Sequence, residues 1–348
     1  MKTDMMDKKT RSGILAAGSW ILDEVKVIDK FPEEQSLVNI LDEYISNGGS
    51  AYNILTDLRQ LGANFPLEGL GLVGNDFHGI RIVDHCKQIG IDTQQIAMIP
   101  NVSTSYTTVV SVKPTGKRTF FHHRGASAQL SPKHFDFKKS NARIFHLGYL
   151  LLLDKLDEIR EDGRTDASHL LEKAKNAGFN TSIDLVSEDS DRFQSVVPSS
   201  LPYVDYLFLN EFEASKLSGI NLMNIEEPQQ MRAQCMEVCN YLFELGINQW
   251  IIIHYPAGVY AAHREGARLF QPSVKLKPEQ IVGSNGAGDA LAAAILYGIH
   301  EAWPMEDSLK LGVCAAAASL THVTCSDGVL EVQACLSLAE QFGYRALK

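Results

Sequence analysis

The sequence predicts an α/β protein with a three-layer core, in which helices cover both faces of a mostly parallel central sheet, and a small β-sheet lid beside it. Two observations predict the core. Short apolar runs alternate with segments whose apolar residues recur at helical spacing along most of the 348 residues. Those apolar runs are continuous rather than in-and-out, which marks strands covered on both faces. A third observation predicts the lid. Asp23–Ser46 and Ser103–His123 are rich in β-branched and aromatic residues and lack long helical patterns.

The elements follow in order. Ser12–Ala17 is a strand ending at Gly18. Gly48-Gly49 leads into a helix over Ser50–Leu61, with Ala51, Ile54, Leu55, Leu58 and Leu61 at helical spacing, Ser50 as N-cap and Gly62 as its stop. Leu67–Val73 is the next strand, and Ile80–Ile89 the next helix, stopped at Gly90. Thr107–Lys113 and Arg118–His122 flank the turn Pro114-Thr115-Gly116-Lys117 and form a hairpin. Ala142–Leu147 is a strand, Ser168–Ala177 a helix, and Asn180–Leu185 and Tyr203–Leu209 are strands. A helix starts over Glu211–Leu217, and Pro228–Leu245 is a long helix stopped by Gly246. Trp250–His254 is a buried strand, and Ala287–Ile299 and Leu309–Thr321 form a closing helix pair. The division expected is a core of 12–22, 48–102 and 124–340 and a lid of 23–47 and 103–123. A lid next to a phosphate site would exclude water during transfer.

Composition narrows the function. The net charge of −10, from 42 acidic against 32 basic residues, argues against nucleic acid or an anionic membrane as partner. No apolar run approaches the roughly 18 residues that span a bilayer. Met1–Arg11 is polar and mixed in charge, so a cytoplasmic protein is expected. The six cysteines are scattered and read as free thiols.

Several motifs carry chemistry or imitate it. Gly69-Leu70-Gly71-Leu72-Val73-Gly74 satisfies G-x-G-x-x-G, but Gly69 and Gly71 fall inside an apolar strand. A dinucleotide site needs them in the turn before a helix, so none is expected. No Walker A loop, His-Glu-x-x-His or Gly-x-Ser-x-Gly occurs. The most informative stretch is Gly286-Ala287-Gly288-Asp289, at a helix entry. Small residues there let an anion approach the unpaired N–H groups of a helix N-terminus. A carboxylate in the same first turn, Asp289, is a seat for a general base. Asn210-Glu211-Phe212-Glu213 follows a strand, at the edge where α/β ligand sites gather. Asn210 and Glu213 can form a capping box, or organise a hydrated Mg²⁺ beside phosphate.

In this order and spacing, Gly48-Gly49, Asn210-x-x-Glu213 and Gly286–Asp289 resemble the ribokinase-like (PfkB) family of carbohydrate and nucleoside kinases. Gly18-Ser19 with Asp23, Asn47–Asn53, Gly71–Asp76, Gly125–Ala128 and Leu207–Ala214 extend the resemblance over Ile14 to Leu330. It implies ATP and Mg²⁺ on a ribokinase-like core. Asp289 would deprotonate a substrate hydroxymethyl group for attack on the γ-phosphate. The amides of Gly286, Ala287 and Gly288 would form the anion hole. Asp23, Gly48, Gly49 and Asn53 would hold sugar hydroxyls. Asn210 and Glu213 would organise phosphate and magnesium, with Glu213 acting through water, and Gly258 would lie near the nucleotide.

Departures from the family pattern shape the expectation. Gly283-Ser284-Asn285 stands where Asp-Thr-x is usual, and Gly283 replaces the acid that helps bind a monovalent cation, so K⁺ is not implied. Ile253-His254-Tyr255 replaces Thr-x-Gly, so contacts to ATP must differ there. Ser50 and Gly148 stand where true ribokinases carry lysine and glutamate, which turns the expectation away from free ribose. A kinase of a sugar or sugar-like alcohol is the first expectation. A nucleoside kinase is the alternative, with Trp20, Tyr106, Phe121 or Tyr149 as base clamp. A catalytically weak binding or regulatory protein of the same fold is the third. The resemblance also allows a homodimer through the lid.

Overall fold

The first strand, β1 (Ile14–Ala17), sends Ile14 and Ala16 into one hydrophobic cluster and Leu15 and Ala17 into another. That double burial is why its four residues are all apolar. The computed structural model describes residues 11–115, 117–283 and 286–346. After β1 come β2 (Ile21–Ile28), β3 (Ile40–Gly48), α1 (Ser50–Gln60), β4 (Leu67–Gly74), α2 (Phe77–Gln88) and β5 (Asp92–Ile99). The chain continues through β6 (Ser105–Val112), β7 (Arg118–His123), β8 (Ile144–Leu150), α3 (Asp166–Asn176), β9 (Asn180–Leu185), the single turn α4 (Phe193–Val196) and β10 (Tyr206–Asn210). It closes with α5 (Glu211–Ser218), α6 (Pro228–Glu244), β11 (Trp250–Tyr255), β12 (Gly258–His263), β13 (Arg268–Pro272), α7 (Ala287–His300), α8 (Met305–Leu320) and α9 (Val332–Phe342).

Among the described residues, nine strands form one sheet in the order β13-β12-β11-β10-β9-β8-β1-β4-β5. Every pairing from β5 to β11 is parallel; β12 alone is reversed, antiparallel to both β11 and β13. Helices α1, α2 and α7–α9 pack on one face and α3, α5 and α6 on the other, which gives the three-layer α/β core expected. The strand order reverses at β1, so the carboxyl ends of β1 and β8 border a switch-point crevice, the usual ligand position in such sheets. A second sheet of four strands, β3-β2-β6-β7, projects from this core. The segments rich in β-branched and aromatic residues lie in it. Its hairpin turn includes Gly116, which lies outside the described residues.

Some local expectations change. Ser50 does not cap α1; Gly49 holds the N-cap position at φ 92 with no side-chain cap. The Ser50 hydroxyl instead donates to Asp184. Helix α2 starts at Phe77 rather than Ile80, because Asp76 caps it by accepting from the N–H of Gly79. In the G-x-G-x-x-G run, a Cβ on Gly71 would sit 2.2 Å from Nε1 of Trp20. These glycines make room for a buried indole, which donates to the carbonyl of Leu70. All six cysteines are free and buried, with Cys235 and Cys239 packed in the second cluster. Among the described residues, no helix is long and apolar enough to cross a membrane.

Candidate active site

The carboxyl edge of the large sheet collects polar side chains that the sequence scatters over more than half its length. Tyr149 comes from the end of β8, Asp184 from β9, Asn210 from β10 and His254 from β11. Asn210 and His254 are level with one another in the register. Helix α7 points its N-terminus into the same space. Gly286 is its N-cap at φ 81, a left-handed conformation, and a Cβ there would lie 2.1 Å from the carbonyl oxygen of Cys325. Glycine is therefore required twice over. The first-turn N–H groups have no carbonyl one turn earlier, and no side chain caps this helix.

Asp289 sits in that first turn, buried. Its Oδ2 accepts from Asn53 Nδ2 at 2.7 Å and from the Tyr149 hydroxyl at 2.8 Å. Burial, and then the neighbouring charge of Asp184, raises its pKa to about 7; the two hydrogen bonds oppose the rise. A carboxyl poised there is matched to base work near neutral pH. Tyr149 is held at φ 58, uncommon for a bulky residue, and such strain clusters at functional sites. Its backbone N–H donates to Asp184 Oδ1 at 2.6 Å, and burial beside Asp289 and Asp184 keeps its phenol protonated as a donor.

Asn210 and Glu213 form the capping box at the head of α5. The N–H of Glu213 donates to Asn210 Oδ1 at 2.8 Å, and the N–H of Asn210 donates to Glu213 Oε2 at 3.0 Å. Ser187 and the Asn210 side-chain amide donate to the other Glu213 oxygen. Burial pushes the Glu213 carboxyl up to about 8 against these bonds. A buried, oriented carboxyl of this kind is stabilised in its charged form by a cation. No group of three or more His, Cys, Asp or Glu residues among those described can hold a metal ion. Asn210 and Glu213 are the residues here that could hold a hydrated cation through its waters.

These groups border two cavities. One, of about 490 Å³, is lined by Asp23, Gly49, Asn53, Thr107, Phe120, His122, Asp184, Glu213, Asp289 and Cys325 among others. The second, of about 480 Å³, is more apolar and includes Gly258, Val274, Ala287, Leu291, Val313 and Ala317. Asn210, His254 and Gly288 line both and mark where they meet. A Cβ on Gly288 would approach the His254 ring to 3.2 Å, so the imidazole lies against the first turn of α7. Burial lowers its pKa to about 4, with Asp184 opposing, so it is neutral.

Residues 14–332 match the family described as pfkB family carbohydrate kinase. The chain belongs to this family. It is 27% identical over 306 residues to a 5-dehydro-2-deoxygluconokinase of Clostridium perfringens, covering 82% of each protein. In fold it resembles Arabidopsis thaliana ribokinase complexed with ribose and ATP, at TM-score 0.77 and 19% identity, over 94% of this chain and 99% of that one. It also resembles the Methanocaldococcus jannaschii nucleoside kinase, at TM-score 0.73 and 19% identity, over 95% of this chain and 98% of that one.

As in other pfkB carbohydrate kinases, then, phosphoryl transfer to a carbohydrate is the activity to be housed. Of the residues singled out in the sequence, Asp23, Gly49, Asn53, Asn210, Glu213, Gly286, Gly288 and Asp289 line the first cavity, and Gly258 and Ala287 the second. Gly48 stands just behind: a Cβ there would lie 2.6 Å from Asp23 Oδ2. Ser50 and Gly148 do face one another, since a Cβ on Gly148 would fall 2.0 Å from Ser50 Oγ. Ser284 and Asn285 lie outside the described residues. Three of the base-clamp candidates are engaged elsewhere. Trp20 is fully buried, Tyr149 is tied to Asp289, and the Tyr106 ring packs on His123. Phe121 is exposed, and its neighbour Phe120 is the aromatic residue of the small sheet that lines the first cavity. Asp184 is the main residue the sequence reasoning missed. Its signal was a lone carboxylate near the carboxyl end of the predicted strand Asn180–Leu185.

Proposed function

We propose that this enzyme transfers the γ-phosphoryl group of ATP to a hydroxymethyl group of a small sugar, with Asp289 as general base. The observation that carries this reading is the position of Asp289: a buried carboxyl in the first turn of α7, on the wall between two cavities that meet at Gly288. The sugar occupies the cavity lined by Asp23, Gly49 and Asn53, and the nucleotide the one lined by Gly258 and Leu291. The substrate O–H bond breaks toward the Asp289 carboxylate, the freed oxygen bonds to the γ-phosphorus, and the bond to ADP breaks. The α7 N–H groups of Gly286, Ala287 and Gly288 stabilise the charge on the moving phosphoryl group. His254, a neutral donor at the junction, faces the nucleotide phosphates one residue after Ile253, which stands where the family has threonine. Glu213 and Asn210 would hold Mg²⁺ through its water shell, and that ion would neutralise phosphate charge when bound. The small sheet acts as lid, excluding water.

Two further expectations accompany this reading. Turnover does not depend on K⁺. A Cβ on Gly283 would lie 2.4 Å from the carbonyl oxygen of His322, which leaves no room for an acidic side chain. Replacing K⁺ with tetramethylammonium should leave the rate unchanged, and a collapse in rate would refute the expectation. A homodimer through the lid is supported by Ile40, Ile45 and Phe121, which are exposed there; sedimentation would reveal it.

The deciding experiment is ADP formation with Mg²⁺-ATP and a panel of sugars, sugar acids and nucleosides, with the product identified by mass. Phosphorylation of a sugar is expected. Turnover of nucleosides alone, or of nothing in the panel, would reject the reading.

A further inference from the structure

Three strands of the small sheet place polar side chains in one row. The register sets Asp23 beside Thr107, and Thr107 beside His122. All three line the first cavity. Thr107 Oγ1 lies 3.0 Å from His122 Nδ1, and Thr107 is close enough to the Asp23 carboxyl to help hold its pKa down. A hydroxyl has a single proton to give. Turned toward the carboxylate, its stronger acceptor, that proton leaves the Thr107 oxygen to accept from the Nδ1–H of His122. The His122 ring is neutral, because burial and then Arg124 lower its pKa to about 4. A neutral ring protonated on Nδ1 carries a lone pair on Nε2. The row thus presents acceptors to the cavity: the Asp23 oxygens and His122 Nε2.

Donors nearby are largely committed. The Cys325 thiol donates to Asp23 Oδ2 at 3.3 Å, and Asn53 and Tyr149 donate to Asp289. Among the described residues, no lysine or arginine lines this cavity. Arg124, which follows β7, is paired with Asp154 and Glu188.

Resting on the sugar-kinase reading above, we infer that this end of the cavity selects a neutral polyhydroxy substrate and rejects sugar acids. Hydroxyl protons satisfy the acceptor row. A substrate carboxylate finds no cation and faces Asp23. The selection separates this chain from its relatives with gluconokinase names.

The test compares kcat/KM for neutral sugars and their aldonic acids of the same carbon skeleton, such as ribose with ribonate and glucose with gluconate. The neutral partner should win by on the order of 100-fold, the cost of a second carboxylate beside Asp23 at the effective dielectric of a protein site. Equal or better use of the acid overturns the inference. If neither set is phosphorylated, the kinase reading fails, and calorimetric binding of the same pairs still decides selection. Neutral-sugar binding without aldonate binding supports it, and tighter aldonate binding or no sugar binding overturns it. His122→Arg replaces an acceptor with a fixed cation. It should shrink the neutral-to-acid ratio by about tenfold, the scale of one charge contact. His122→Gln, which supplies an amide donor, should move the ratio the same way by less and serves if the arginine variant does not fold. A ratio unmoved in the folded variant refutes the acceptor row.

Discussion

In the large sheet, β1 is wholly buried and β10 nearly so; in the small sheet, β3 and β7 leave most of their residues exposed. The proposed reactive groups border the first sheet, and the proposed recognition row lies in the second, with Asp23 and Thr107 buried on β2 and β6 and His122 on exposed β7. Burial at the edge of the large sheet raises the Asp289 and Glu213 carboxyls toward neutrality, which solvated carboxyls cannot reach. The small sheet has only one face on the cavity, so β7 turns Phe120 and His122 to it and Phe121, between them, away, though Phe120 is as exposed as Phe121. In this reading the chemistry is tied to a packed frame, whereas His122, the row member on the exposed strand β7, can change without disturbing that frame.

The separation can be broken at either region, and the largest effect belongs to the core. Gly286→Ala forces a side chain into a left-handed position against Cys325 and displaces the α7 N–H groups. The kcat should fall on the order of 10²–10³-fold, the usual cost of an anion-hole donor. Steady-state kinetics on protein verified as folded would check it. In the small sheet, Asp23→Asn removes a charged acceptor from the proposed row. KM for the sugar should rise by about tenfold with kcat little changed, the scale of one charge-assisted hydrogen bond. A fall in kcat with constant KM would move Asp23 into the transfer step.

The pH dependence sharpens the same contrast. A base must be ionised to accept a proton, and Asp289 titrates at about 7. The kcat/KM should therefore fall as pH drops below about 7, by roughly tenfold per unit once the limb is established. Asp23, raised to about 6 by burial, loses its charge at lower pH still. Sugar KM should rise only there, and a pH–rate series at saturating ATP separates the two limbs.

The sequence was most legible where backbone and chemical needs fall on adjacent residues. Gly286–Asp289 could be singled out because the same four residues turn the chain, open the helix and carry the proposed base. Asn210 and Glu213 could be singled out because a capping box has fixed spacing. Asp184, Tyr149 and His122 were not read as a group, since only sheet order and register bring them together. Another miss and one rejected motif have local causes. Strand β5 begins with the polar run Asp92-Thr93-Gln94-Gln95 and lies at the sheet edge, so it lacks the apolar signature. Gly69 and Gly71 imitate a nucleotide motif because they serve the packing of Trp20.

Asp289→Asn tests the central claim most directly, with turnover and calorimetric sugar binding measured on the same preparation. Asparagine preserves the shape of the side chain and removes the base. The account predicts a fall in kcat of about 10²–10⁴-fold with the sugar still bound, the range a positioned base supplies. Turnover within about tenfold of the wild type, below that range, would contradict it.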